Sequence, residues 1–156
     1  MLVAMLLAGC GGDGEVVQEP AEGGAVVEVR STAFSEGDTV PVQFTCEGEN
    51  VSPPLSWSGV PEGVAELRLS VTDPDAPSGT FTHWSVTGID PSSSGVDQGM
   101  VPAGGTEEQN SFGEAAYGGP CPPRGAEPHR YVFRVEALDA SGNVLGSGEL
   151  TVRFGR

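Results

Sequence analysis

The chain is expected to fold as an all-β, or nearly all-β, domain. Three observations carry that expectation. Several runs of β-branched and aromatic residues alternate with polar ones. Glycine (24) and proline (13) punctuate the 156 residues densely, as many short strands joined by turns require. No window shows convincing helical periodicity. In chain order, AVVEVRSTAF and TVPVQFTC read as β-branched runs, the second placing Val40, Val42 and Phe44 against Pro41, Gln43 and Thr45. ENVSPPLSWSGVPEG reads as a loop, broken by Pro53, Pro54 and Pro61. AELRLSVT sets Leu67, Leu69 and Val71 against Arg68, Ser70 and Thr72, the pattern of a half-buried strand. FTHWSVTGI puts Trp84 and Val86 on one face, Phe81 and His83 on the other. After a long stretch rich in Gly, Ser, Asn and Pro, HRYVFRVEAL is the strongest strand, with His129, Tyr131, Phe133, Val135 and Ala137 on one side. NVLGSGELTVRF closes the chain as a hairpin turning near Gly146 and Gly148.

Composition narrows the function. Twenty-two acidic residues face 7 basic ones, a net charge of −15, and the basic residues are scattered. No patch is available to neutralise a phosphate backbone, so nucleic acid is excluded as a partner. Any anion must be held by local donors that overcome the global field. The domain of residues 26–156 is long enough to bury a sizeable core.

The first residues carry an address. MLVAMLLAGCGG ends its apolar run in Leu7-Ala8-Gly9-Cys10, which resembles the lipobox of bacterial lipoproteins. That resemblance implies a signal over residues 1–10, lipidation of Cys10, and a protein exported and anchored on the periplasmic or extracellular face of a bacterial membrane. The run is too short to span a bilayer and lacks the usual opening Lys or Arg, so the translational start is expected upstream of Met1. Residues 11–25 are mostly small, acidic or polar and read as a flexible tether.

Two segments hold the candidate chemistry. In TDPDAPSGTFTHW, Pro74 cannot donate to a ladder and so stops the strand. Asp73 continues the inward face of Leu67, Leu69 and Val71, and Asp75 projects to the same side if the backbone stays extended. The chain has two histidines, His83 and His129, each on a strand beside an aromatic residue. A carboxylate paired with an imidazole fixes its tautomer and favours the imidazolium, a donor to anions. The same residues also suit a plain Asx-Pro turn with two surface histidines. In YGGPCPPRGAEPHRY, paired glycines permit close backbone approach to a ligand and three prolines stiffen the loop that feeds the His129 strand; a rigid surface loop would look the same.

Together DPDAP…HW and YGGPCPPRG…PHRYVF resemble the phosphatidylethanolamine-binding protein family, in its bacterial Raf-kinase-inhibitor-like branch. FTCEGENVSPPLSWSGVPEG, NSFGEAAYGGPCPP and HRYVFRVEALD are also close to that branch. The resemblance implies a β-sandwich-like fold and a small pocket for phosphate-type anions, a phospholipid head group or a phosphorylated partner, with possible action as an inhibitor of a partner enzyme. Its site would comprise Asp73, Asp75, His83, Tyr117, Gly119, Pro123, His129 and Tyr131, with no catalytic residue, cofactor or metal. Family members usually carry a helix before a final GELVG-like strand. LDASGNVLGSGELTV has no room for one, so that helix is expected to be missing. With Cys10 lipidated, Cys46 and Cys121 remain as a pair, either bonded or two separate buried thiols. Two other functions use the same residues: a hydrolase built on His83 or His129 with Asp73, or a metal site that adds Asp75. No G-x-S-x-G elbow accompanies the first and no closely spaced ligand pair the second.

Overall fold

Pairing of nine strands organises the computed structural model, which describes residues 24–156. The lipobox, Cys10 and nearly all of the tether lie outside the described residues. The strands are β1 (Ala25–Val26), β2 (Glu28–Arg30), β3 (Leu55–Ser58), β4 (Glu66–Asp73), β5 (Phe81–Ile89), β6 (Gly95–Val96), β7 (Thr106–Glu107), β8 (His129–Leu138) and β9 (Val144–Phe154). One sheet has the order β1-β9-β8-β4-β5-β7 and the other β2-β3-β6. Both contribute to a single core, Val29, Leu55 and Trp57 from the small sheet and Leu67, Leu69, Val71, Phe133 and Val135 from the large one. Each such side chain, fully buried, contributes about 1.5–3 kcal/mol. The alternation read in β4 and β8 is the alternation observed, with Val71 opposite Phe133 and Leu69 opposite Val135.

Elsewhere the local patterns resolve differently. The run of residues 25–34 is two strands: β1 pairs parallel with β9, then the chain changes sheets at Val27 and β2 pairs antiparallel with β3. Residues 39–46 form no strand. Pro41 has no N–H to offer a ladder, and the Phe44 amide donates back to its carbonyl, making a 3-10 turn at Val42–Phe44 that buries Phe44 and leaves Val42 exposed. A strand, β3, lies inside the segment read as a loop, carried by Leu55 and Trp57 facing the core. The C-terminal segment is one long strand rather than a hairpin. Its glycines serve close approach instead: a Cβ on Gly148 would collide with the Val27 carbonyl, and one on Gly146 with that of Ala25. The true turn is at residues 139–143, where Asp139 Oδ1 accepts the Ser141 and Asn143 amides at 2.8 and 2.9 Å. No helix intervenes between β8 and β9, as the shortness of that segment implies.

Cys46 and Cys121 are bonded, with a Cα–Cα separation of 5.4 Å. The bond closes 75 residues of sequence separation, which in the chain-entropy view stabilises the fold by about 4 kcal/mol. It ties the loop after the 3-10 turn to the loop that precedes β8.

Candidate functional site

β4 ends at Asp73 because Pro74 follows, and the chain then turns instead of staying extended. The two aspartates therefore part. Asp73 points inward and is buried; its Oδ1 accepts the Asp75 amide at 2.8 Å, an Asx turn. Asp75 is gripped by Arg130, through the backbone amide at 2.8 Å, Nε at 3.0 Å and Nη2 at 2.8 Å. That fork holds the Asp75 carboxyl down at about 2. The expected pair of carboxylates on one side is thus not formed, and Asp75 does not line the cavity.

The register of β5 on β4 slips by one residue between Val71–Trp84 and Thr72–Thr82, leaving His83 as the extra residue of a β-bulge. The bulge breaks the period of two: His83 and Trp84 are both buried, not assigned to opposite faces. His83 Nδ1–H donates to the Gly118 carbonyl at 2.7 Å. Burial pushes its pKa down, against the raising pull of that carbonyl and of Asp73. His129, the first residue of β8 and also buried, donates Nδ1–H to Asp73 Oδ2 at 2.7 Å.

These groups meet at a cavity of about 280 Å³ lined by Asp73, His83 and His129 together with Phe81, Phe112 and the Cys121–Pro123 segment. Depressions of about 440 and 490 Å³ lie elsewhere and contain no imidazole. Of the other expected residues, Pro123 lines the cavity wall and the rest stand behind it. Tyr117 donates its hydroxyl to the Phe44 carbonyl at 2.8 Å and packs edge-on to Trp84, and burial raises its pKa. Gly119 donates its amide to Asn50 Oδ1 at 2.7 Å, in a space too tight for a Cβ. Tyr131 packs edge-on to His83, with ring centroids 5.2 Å apart. Its hydroxyl is buried near the Asp73 carboxylate and the Cys121 backbone but out of hydrogen-bond geometry with either, and burial followed by the charge of Asp73 raises its pKa.

Three residues escaped the motif reading. Phe81 and Phe112 form the aromatic rim over His83, their ring centroids 4.7 Å apart, with Phe112 about half exposed. Asn110 presents Phe112: it is buried and its Oδ1 accepts the Phe112 and Glu114 amides at 2.9 and 3.0 Å. The signal was an Asn-Ser-Phe-Gly turn tetrapeptide, indistinguishable locally from any surface turn. Ser78 also lines the cavity, yet among the described residues no serine hydroxyl hydrogen-bonds either imidazole. Nor is any group of three or more His, Cys, Asp or Glu among the described residues arranged to hold a metal ion. Chemically the site offers, among the described residues, fixed imidazoles and a buried carboxylate.

Residues 30–154 match the family model described as phosphatidylethanolamine-binding protein. A Mycobacterium tuberculosis protein named as a lipoprotein, LppC, is 43% identical, with 88% of this chain and 76% of that protein aligned. Among solved structures, Escherichia coli YbcL, described as a member of the mammalian phosphatidylethanolamine-binding protein family, matches with a TM-score of 0.79 at 30% identity, covering 83% of this chain and 98% of that one. The homolog CT736 from Chlamydia trachomatis matches with a TM-score of 0.77 at 31% identity, covering 84% and 98%.

Proposed function

The chain belongs to the phosphatidylethanolamine-binding protein family, and from that premise we propose that it is a non-enzymatic binding module whose cavity holds the phosphate-type group of a small ligand or phosphorylated partner. The observation that carries this reading is the Asp73–His129 pair at the cavity wall. With Nδ1–H committed to a carboxylate, the remaining His129 nitrogen, once protonated, donates to a bound anion, and Asp73 balances the charge. The neighbouring His83, Phe81 and Phe112 shape the rest of the cavity. The relative named as a lipoprotein supports export and a lipid anchor at Cys10. Calorimetric titration of the purified protein with inorganic phosphate and phosphoethanolamine tests the reading, alongside His129→Ala. Saturable binding by the wild type that weakens at least tenfold in the variant is the expected result; no binding by the wild type, or equal binding by both, would sink it. Release of product from a phosphoester would favour a hydrolase instead.

A further inference from the structure

We propose that the Cys46–Cys121 bond is a site of thiol–disulfide exchange in the folded protein, attacked at Cys46 and selective for thiols that carry a positive charge.

The surroundings of the bond lead there. Cys46 is exposed and Cys121 half-buried, so an incoming thiolate reaches the Cys46 sulfur without any opening of the fold. Access to one sulfur of a pair decides where exchange begins. Nor do the two loops need the bond to stay together. The Cys46 amide donates to the Pro120 carbonyl at 3.1 Å, the Gly119 amide to Asn50 Oδ1 at 2.7 Å and the Tyr117 hydroxyl to the Phe44 carbonyl at 2.8 Å, and Arg124 pairs with Glu47 at 2.8 Å. The bond itself acts chiefly on the unfolded chain. Breaking it therefore lowers stability without parting the loops.

The bond also borders two hollows. Both cysteines line a depression of about 160 Å³ whose one charged lining residue is Glu114, and Cys121 lines the 280 Å³ cavity as well. Glu47 is occupied by Arg124, which leaves Glu114, Glu49 in the Cys46 loop and the net charge of −15 to set the field at the sulfur. That field repels an anionic thiol such as glutathione and draws in a cationic one such as cysteamine.

The step balances without any other reagent. A thiolate attacks Cys46 Sγ, a mixed disulfide forms there, and the electron pair of the broken bond leaves on the Cys121 sulfur. A second thiolate then attacks the mixed disulfide, so both cysteines are reduced while the two incoming thiols are oxidised to their own disulfide. Cys121 is thereby released at the wall of the cavity that it lines.

The test follows reduction of the wild type without denaturant, by mass spectrometry after acid quenching. Its rate is expected to rise linearly with dithiothreitol and to ignore low urea. Corrected for their rates on a neutral model disulfide, cysteamine should outpace glutathione by about fivefold at low salt and by less at high salt. A rate that levels off with dithiothreitol and climbs with low urea means attack through unfolding and overturns the proposal; equal corrected rates overturn its selectivity. Cys121→Ser and Cys46→Ser locate the attack: the thiol left in the first should react with an aromatic disulfide about tenfold faster than the thiol left in the second, and the reverse order overturns the assignment to Cys46. In Cys46→Ser, carbamidomethylation of Cys121 should weaken phosphoethanolamine binding about tenfold, an expectation that rests on the binding reading above. Unchanged binding overturns the release of Cys121 into the cavity, whereas no binding before treatment overturns the binding reading and leaves exchange to the kinetics. Should either variant not fold, the wild-type rates decide alone.

Discussion

His83 is a buried base whose protonation costs more in the fold than in water. Its pKa lies below the ordinary value near about 6.5, so in acid the unfolded chain takes up a proton that the folded chain resists. The stabilisation is fully present above that ordinary value and is lost as pH falls beneath it. Melting temperature should therefore drop between pH 7.5 and pH 5, and the slope should flatten in His83→Gln; an equally steep slope in the variant would show another group responsible. Tyr131 bears the opposite kind of burden. Its hydroxyl is buried without a partner, which costs about 1–3 kcal/mol. Tyr131→Phe is expected to raise stability by about 1 kcal/mol in denaturant titration, and a loss of stability would mean that the hydroxyl is satisfied in solution.

At the scale of elements, two departures from regular strand geometry build the molecule. The first is the bulge in β5, which turns His83 toward the cavity while Trp84 keeps its place opposite Val71. Without it, a strict period of two would direct one of the two away from the core. The second is the passage of the N-terminal segment across β9. The Val27 amide donates to the Ser147 carbonyl at 3.0 Å, a contact possible because residues 146 and 148 have no side chain. Gly148→Ala should lift this segment off the sheet, costing about 2 kcal/mol or more, and hydrogen exchange at Val27 should quicken selectively. Unchanged protection there would mean that β9 gives way without releasing β1. The loop ahead of β8 is held in a different manner, by the Cys46–Cys121 bond, by Asn50 on Gly119 and by Tyr117 on Phe44. Asn50 sits at φ 58, a conformation that Asn tolerates better than most residues. These ties keep the Gly118 carbonyl where His83 needs it.

For the whole molecule, the net charge of −15 sets the long-range field. An anion approaching the cavity is repelled until it comes within reach of the local donors, and salt screens the distant charges more than the buried pair at the site. Raising ionic strength from low to physiological should therefore speed association of phosphoethanolamine severalfold in stopped-flow measurements, whereas slowing would show that the local cation dominates from afar. The family, the β class, the strands read at residues 65–72 and 129–138 and the placing of Asp73, His83 and His129 on or at the end of strands were legible from sequence, because alternation and motif order are local properties of the chain. The partners were not. Asp73 and His129 are 56 residues apart, so which histidine meets the carboxylate could not be read, whereas the Cys46–Cys121 pair, though 75 residues apart, was the one left by counting once Cys10 is set aside. Nor could spacing alone distinguish Asp75 facing the cavity from Asp75 bound to Arg130. Residues 39–46 alternate as a strand does, yet Pro41 and the burial of Phe44 set a 3-10 turn at Val42–Phe44 in their midst. The sequence by itself determined which chemical groups are available and on which strands they ride. Tertiary structure decided which of them meet, because register, bulges and sheet crossing follow from packing two sheets on one core, and that packing is satisfied only by residues far apart in the chain.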